Sequence, residues 1–236
     1  MRIVVGPYES IQVNVDGFGD NIVGDAGNET SIAVDPLNSD SMVIGWRQFD
    51  NVASNFRQAG WAYTDDGGQT WTFPGNLQPG VFRSDPVVDT DLNGTFFYNS
   101  LLETFDMDVW RSSTGGVSWQ SPVPAFGGDK NWLVVDKSLT ATSGNIYGVW
   151  QRFFGCCDRD TVIVSENGGD SYQTPVQTPN QPVFGTMAVG PDGTLYVAGV
   201  RGVSGQEYST FVVDHLPPGG NWVGRVVPLG LSLIHI

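Results

Sequence analysis

A glycine-pair motif, GG-x-[ST]-[WY], occurs three times in this chain, and a degenerate fourth copy follows. The copies are TDDGGQTW, SSTGGVSW, SENGGDSY and PPGGNW, and they end at Trp71, Trp119, Tyr172 and Trp222. Successive aromatic residues are therefore about 50 residues apart, a period typical of propeller blades. The chain is expected to fold as a series of similar structural units.

A second repeat runs in step with the first and indicates β-hairpins. Its copies are SIAVDPLNSDSMVIGW, PVVDTDLNGTFFYNS, WLVVDKSLTATSGNIYGVW and TMAVGPDGTLYVAG, which start at Ser31, Pro86, Trp132 and Thr186. Each has two apolar runs joined by a polar turn, which is a hairpin pattern. The glycine-pair motif then joins two further runs. The predicted unit is a four-stranded antiparallel meander, whose strands we name A, B, C and D.

The residues of the glycine-pair motif, from here on the GG turn, suit a tight connection between strands C and D. Asp66 and Asn167 carry short polar side chains that can accept backbone N–H bonds within their own turn. The second glycine of each pair suits a position that needs a positive φ. The aromatic residue that follows offers a large apolar face to a neighbouring blade.

These residues resemble the Asp box, S/T-x-D-x-G-x-T-W, also called the bacterial neuraminidase repeat of the sialidase superfamily. The first copy matches fully, the second has Thr114 in place of the acid, and the third has conservative changes. The matching positions are Thr64, Asp66, Gly68, Thr70 and Trp71; Ser112, Gly116, Ser118 and Trp119; and Ser165, Asn167, Gly169, Ser171 and Tyr172. The resemblance implies an all-β propeller.

Sialidase-type propellers have six blades, whereas four units of about 50 residues fit here. Residues 1–230 are therefore expected to be a partial propeller, and residues 231–236 (LSLIHI) a non-native read-through tail. The first residues lack the apolar core of a signal peptide.

The net charge excludes one class of partner. Asp and Glu number 25 against 11 Lys and Arg, which gives a net charge of −14. Nucleic-acid binding needs a basic surface, so it is not expected. No apolar stretch reaches the length of a membrane span. An acidic, lysine-poor β protein suits a secreted or cell-surface bacterial context.

Strand direction predicts where a ligand would bind. Strand A starts, and strand B ends, at the end of the blade opposite the GG turn, so charged side chains at those positions are expected on one face. The candidate substrate-binding residues are Arg47, Arg83, Asp85, Asp129, Arg152 and Arg201. Sialidases clamp a sugar carboxylate with three arginines, and guanidinium groups match carboxylates well. However, the family's Arg-Ile-Pro motif is missing, and ion pairs on the rim are the alternative.

Two further motifs have open interpretations. Cys156 and Cys157 are adjacent and could form a vicinal disulfide that packs against a sugar ring, or stay reduced, or pair elsewhere. The segment Asp89–Gly94 matches the start of a calcium loop, but Ser100 replaces its last acid, and a hairpin turn is the better interpretation. No cofactor is predicted beyond this weak calcium candidate.

The leading functional prediction is a sialidase-like secreted propeller that binds or hydrolyses glycans. One alternative is a non-catalytic propeller for adhesion or for binding proteins or glycans. Another is a glycoside hydrolase of a different Asp-box family, with paired carboxylates as its catalytic groups. No catalytic residue is assigned, and the sequence does not identify the sugar.

Overall fold

The computed structural model describes residues 2–201 and 210–228, and the regular secondary structure in them is β-strand. In these residues no helix is long and apolar enough to cross a lipid bilayer. The strands are β1 (Arg2–Val5), β2 (Tyr8–Ile11), β3 (Ala26–Asp35), β4 (Asn38–Phe49), β5 (Arg57–Thr64), β6 (Thr72–Asn76), β7 (Ser84–Thr90), β8 (Phe96–Leu101), β9 (Met107–Ser112), β10 (Val123–Pro124), β11 (Trp132–Val135), β12 (Ile146–Val149), β13 (Asp160–Ser165), β14 (Val176–Gln177), β15 (Pro182–Val189), β16 (Leu195–Arg201), β17 (Thr210–Leu216) and β18 (Val223–Pro228).

Four sheets of four strands follow the order of the chain. Blade 1 is β3–β6, blade 2 is β7–β10, blade 3 is β11–β14 and blade 4 is β15–β18, while β1 and β2 form a separate hairpin. Within each blade the strands lie side by side in sequence order, as in an antiparallel meander. The predicted fold class, an all-β propeller of four-stranded antiparallel blades, is confirmed. Closure into a ring of six blades stays a prediction, and residues 231–236 lie outside the described residues.

The middle strands of the blades are the most buried. All six residues of β8 and all four residues of β12 are buried. Such strands are covered on both faces, so their sequences, FFYNSL and IYGV, do not alternate between apolar and exposed polar residues. Strand D is short in blades 2 and 3 and more exposed.

The contacts divide the chain into two compact units, Met1–Glu103 with Val109–Pro122, and Thr104–Asp108 with Val123–Ile236. We call them unit 1 and unit 2. Unit 1 has a core that includes Trp61, Phe96, Tyr98 and Trp110. Unit 2 has its own core, which includes Tyr147 and Leu195, with Trp222 packed against it. The sequence predicted one domain over residues 1–230, and that stays a prediction.

In unit 1 the GG turn of blade 2 packs against blade 1. A Cβ added at Gly116 would lie 2.5 Å from Cγ2 of Val43, and the φ of Gly116 is 84°. The indole Nε1 of Trp61 donates to the carbonyl oxygen of Gly116 at 2.9 Å. Trp119 meets Tyr98 edge to face, with centroids 5.9 Å apart. The glycine and the aromatic residue of the motif therefore serve packing between blades.

Candidate functional site

The three GG turns share one hydrogen-bond pattern. They lie in blades 1, 2 and 3, at the end of the blade opposite the start of strand A. The buried hydroxyls of Thr64, Ser112 and Ser165 accept the N–H groups of the second glycines, at 3.2, 3.0 and 2.9 Å. The side chains of Asp66, Thr114 and Asn167 accept the N–H groups of the residues four positions later, at 2.9, 3.0 and 3.1 Å. Thr114 thus replaces the missing carboxylate with a hydroxyl oxygen.

Asp66 is fixed in its turn by charge-assisted bonds. Its carboxylate accepts the hydroxyl and the N–H of Thr70, at 2.6 and 2.9 Å, and the hydroxyl of Thr64 at 2.7 Å. These bonds favour the charged form, so they lower the pKa of Asp66 to about 2. Trp71 beside it is half-buried. These carboxylate bonds are internal to the turn, which makes the turn structural rather than reactive.

The opposite end of each blade carries a repeated backbone irregularity. Glu29, Asp85, Lys130 and Phe184 have φ values of 52°, 48°, 55° and 52°. Each stands five positions before the last strand A residue that pairs with strand B in an uninterrupted register. Those residues are Val34, Thr90, Val135 and Val189, and their strand B partners are Met42, Phe96, Ile146 and Leu195. In blades 1, 2 and 4 the ladder shifts register there, as at a β-bulge.

The left-handed region disfavours residues other than glycine, and such strained positions often occur at functional sites. The side chains of Glu29, Asp85, Lys130 and Phe184 are therefore candidates for functional roles. In blades 1, 3 and 4 these residues stand five positions before the valine of the Val-Asp or Val-Gly motif, a sequence signal that could have identified them together. In blade 2 the corresponding position is Thr90, two residues after the valine of that motif.

In unit 1 a polar network joins the strand A starts of blades 1 and 2. Arg47 forms an ion pair with Glu29 at 3.0 Å and donates to Asn28 at 2.8 Å. It also reaches the hydroxyl of Ser84 at 3.5 Å, and that hydroxyl donates to Asp85 at 2.7 Å. The structure thus brings two predicted site residues, Arg47 and Asp85, into one network. Arg47 has an acidic partner, in agreement with the ion-pair alternative.

Arg83, also predicted as a substrate contact, is only 2% exposed. Its guanidinium lies 4.5 Å from the ring centroid of Trp110 and donates through Nε to Gln78 at 3.1 Å. This is a structural setting in the interior of unit 1, and contact with a substrate stays a prediction. Sequence reasoning missed Arg57, which stacks on Phe82 at 5.0 Å and has a buried Nε without a hydrogen-bond partner.

In unit 2 the arginines of blades 3 and 4 meet the same short segment. Arg152 donates to the side chain of Gln181 at 3.2 Å, and Arg201 is the ladder partner of Pro182. Arg152 is half-buried, its Nε is buried without a hydrogen-bond partner, and its guanidinium lies 5.1 Å from the ring centroid of Phe153. Among residues 2–201 and 210–228, no carboxylate forms an ion pair with Arg152.

The three strand B arginines are not in equivalent positions of their ladders. Arg152 and Arg201 stand six residues after Ile146 and Leu195, the first strand B residues of their ladders. Arg47 stands five residues after Met42, which pairs with Val34. Because side chains alternate along a strand, a shift of one residue changes the direction in which a side chain points.

Asp129 supports the loop that follows Arg152. Its Oδ2 accepts Gln151 at 2.5 Å, and its N–H donates to the carbonyl oxygen of Phe154 at 2.7 Å. Cys156 and Cys157, next in the loop, are joined as a disulfide, with Cα atoms 3.8 Å apart. The structure therefore places Asp129, Arg152 and the cysteine pair around one loop of unit 2. Whether all six predicted substrate-binding residues share a face stays a prediction, because they belong to both units.

The segment with the calcium-loop pattern forms a hairpin turn. Asp91 accepts the N–H groups of Asn93 and Thr95 at 2.8 and 2.9 Å, and Gly94 has a φ of 79°. In the described part of the chain, no three acidic, histidine or cysteine residues are grouped so that they could hold a metal ion. The carboxylate of Asp91 is thus committed to the turn.

Comparisons with known proteins support the fold. No family model and no curated protein matches the sequence. A protein of unknown function from Dyadobacter fermentans has a similar structure, with a TM-score of 0.59, 15% identity, and coverage of 88% of this chain and 70% of that one. A GH74 enzyme of Niastella koreensis has a TM-score of 0.55 at 18% identity over 85% of this chain, and the match spans 30% of that enzyme. A Hadza microbial sialidase has a TM-score of 0.53 at 13% identity over 87% of this chain, and the match spans 46% of the sialidase.

Proposed function

We propose that this chain binds glycans that carry a carboxylate group, at the strand A starts of unit 2, in a sialidase-like propeller of a secreted bacterial protein. The observation that carries the proposal is the setting of Arg152. Its guanidinium is partly desolvated, one nitrogen lacks a partner, and its only hydrogen bond in the described residues goes to the neutral Gln181. A buried charged donor without an anion is unfavourable, so a bound carboxylate would satisfy it.

Two further observations support a sugar acid as the anion. Arg201 adjoins the same segment through its pairing with Pro182, and it offers a second, exposed guanidinium. Guanidinium groups bind carboxylates through two parallel hydrogen bonds, which gives geometric specificity as well as affinity. The structurally similar proteins include a sialidase and a GH74 enzyme. The vicinal disulfide suits an oxidising, extracellular compartment.

Calorimetric titration with paired sugars tests the proposal. 3′-Sialyllactose and tetragalacturonic acid carry carboxylates, and lactose and cellotetraose are their neutral counterparts. We expect at least one acidic sugar to bind more tightly than its counterpart, and Arg152→Gln to weaken that binding about ten- to hundredfold, the usual effect of losing a hydrogen bond to a charged group.

Arg159→Gln is the matched control, because it removes the same charge from an exposed position in the same loop. Equal affinity for acidic and neutral sugars would reject the proposal. So would equal affinities of the Arg152→Gln and Arg159→Gln variants.

Hydrolysis of a glycosidic bond is a second candidate function, and the network of unit 1 favours it. Glu29 and Asp85 place carboxylates on two strained bulges, linked through Arg47 and Ser84. Glycoside hydrolases use a pair of carboxylates, one as acid and the other as base or nucleophile. Release of the fluorophore from 4-methylumbelliferyl sialoside or cellobioside measures this activity. We expect Glu29→Gln and Asp85→Asn each to lose fluorophore release while they still bind the sugar. Turnover by both variants would exclude Glu29 and Asp85 as the catalytic carboxylates.

A further inference from the structure

The loop after Arg152 carries an exposed apolar surface beside the proposed carboxylate site. Phe153 and Phe154 are 39% and 56% exposed, and Cys157 is exposed next to the half-buried Cys156. The ring of Phe154 stacks on Phe105, with centroids 5.8 Å apart and an interplanar angle of 26°. We call the rings of Phe105 and Phe154 with the Cys156–Cys157 disulfide the aromatic platform.

Backbone hydrogen bonds fix the platform to the segment before strand A of blade 3. The N–H of Asp129 donates to the oxygen of Phe154 at 2.7 Å, and the N–H of Cys156 donates to the oxygen of Gly127 at 2.9 Å. Gly155 and Gly128 form an isolated β-bridge between these bonds. The backbone is therefore held at both residues that flank Gly155.

Glycines allow this close approach. A Cβ added at Gly155 would lie 2.5 Å from the oxygen of Gly127 and 2.5 Å from the Cα of Gly128, and these backbone atoms cannot easily move. A Cβ added at Gly128 would lie 2.6 Å from the oxygen of Phe154. The loop thus depends on residues without side chains. Its geometry is fixed before any ligand arrives, which lowers the entropic cost of binding.

Strained backbone marks the same place. Phe105, Cys157 and Asp158 have φ values of 69°, 73° and 53°, in the left-handed region that L-residues rarely adopt. Such residues persist only where the surrounding structure requires them, and they are common at ligand-binding sites. Here they hold an aromatic ring and a disulfide at the surface, where neither contributes to a core.

We propose that the aromatic platform is a subsite that stacks on the apolar face of a pyranose ring, next to the sugar whose carboxylate binds Arg152. This rests on the proposed function and specifies its ligand as an oligosaccharide. The ring C–H bonds of a pyranose carry a small positive charge and suit the negative face of an aromatic ring. The half-buried Arg152 and Asp129 supply polar groups at the edge, as in sugar-sized sites that combine an apolar surface with a few polar contacts.

The size and charge of the surroundings favour a sugar over other occupants. One stacked ring pair and one disulfide match a single pyranose, whereas a stable protein interface needs about 800 Å² from each partner. Asp158 and Asp160 stand on either side of Arg159, so the loop lacks the cluster of basic residues that binds an anionic membrane surface. A protein or membrane partner is therefore an outcome that would overturn the proposal.

The test measures binding of cellotetraose and tetragalacturonic acid by titration and by saturation-transfer NMR. We expect Phe154→Ala to weaken both tetrasaccharides about three- to tenfold, and Phe154→Trp to keep the affinity. Phe18→Ala is the matched control, since Phe18 is 93% exposed in unit 1. Thermal unfolding verifies that each variant is folded. Saturation transfer from aromatic protons should reach sugar ring protons in the native protein and decrease in Phe154→Ala.

The measurements distinguish failure of the carboxylate site from failure of the aromatic platform. If Arg152→Gln leaves acidic binding unchanged while Phe154→Ala weakens both sugars, the carboxylate site fails and the platform stands. If Phe154→Ala binds both tetrasaccharides as the native protein does, or if neither binds the native protein, the platform proposal is overturned. Binding of vesicles with phosphatidylserine that is lost in Phe154→Ala, without sugar binding, would also overturn it in favour of a membrane surface.

Discussion

Replacing Ser112 by alanine should destabilise the protein measurably, because this hydroxyl organises the interior of a GG turn. Ser112 is 1% exposed, and its Oγ accepts the N–H of Gly116 at 3.0 Å and that of Thr114 at 3.3 Å. Gly116 is itself buried. Ser112→Ala therefore leaves a buried N–H without a partner, which costs about 1–3 kcal/mol. For a chain of this size each kcal/mol lowers Tm by about 2–4 °C, so the expected decrease is about 2–12 °C.

The assay is urea unfolding followed by tryptophan fluorescence and by circular dichroism, with thermal unfolding as a second measurement. Ser118→Ala is the matched control, since Ser118 lies in the same turn with an exposed hydroxyl. We expect it to change the free energy of unfolding by less than about 0.5 kcal/mol. Ser112→Thr should retain most of the stability, because Thr64 serves the same role in blade 1. If Ser112→Ala and Ser118→Ala unfold within about 0.5 kcal/mol of each other, the buried hydroxyl has no such role.

Three other variants test separate parts of the structure. The folded-state pKa of Asp66 is lowered from 3.8 to about 2. The stabilising effect of its carboxylate is therefore complete above pH 3.8 and is lost as the pH falls toward 2. The difference in unfolding midpoint between the native protein and Asp66→Asn should shrink over that range, and a constant difference would contradict this. Gly155→Ala should destabilise unit 2 by more than about 2 kcal/mol in urea unfolding, since the new Cβ would lie 2.5 Å from the oxygen of Gly127; native-like stability would show that the loop can relax. The fully buried Tyr98 donates to the oxygen of Gly60 at 3.0 Å, so Tyr98→Phe should cost about 1 kcal/mol, with no change in stability as the opposing result.

The blades could be predicted because their signals are local. The GG turns and the Val-Asp hairpins need particular residues within a few positions, and a repeated period places four such units along the chain. The structure has the meander in each blade. The sequence showed that the second GG turn lacks the acid. The structure shows that the hydroxyl of Thr114 accepts the hydrogen bond in its place.

The candidate site was harder to predict, because register is not visible in the sequence. Arg47 and Arg152 both come near the end of strand B, yet Arg47 stands five residues after Met42, the partner of Val34. Arg152 stands six residues after Ile146, the partner of Val135. A bulge adds a residue to one strand without any obvious change in composition. The sequence also could not show that Arg47 is paired with Glu29, whereas Arg152 has a neutral partner in Gln181.

The sequence by itself determined the repeat, the turn chemistry and the antiparallel blades, because short-range backbone preferences and apolar periodicity act within each unit. The tertiary structure alone decided which charged side chains are satisfied and which are available. Arg83 became interior through contact with Trp110 and Gln78, and the loop of Phe154 became rigid through contact with Gly127 and Asp129. These contacts join residues brought together by packing between strands and blades, and such packing depends on register and burial rather than on local sequence.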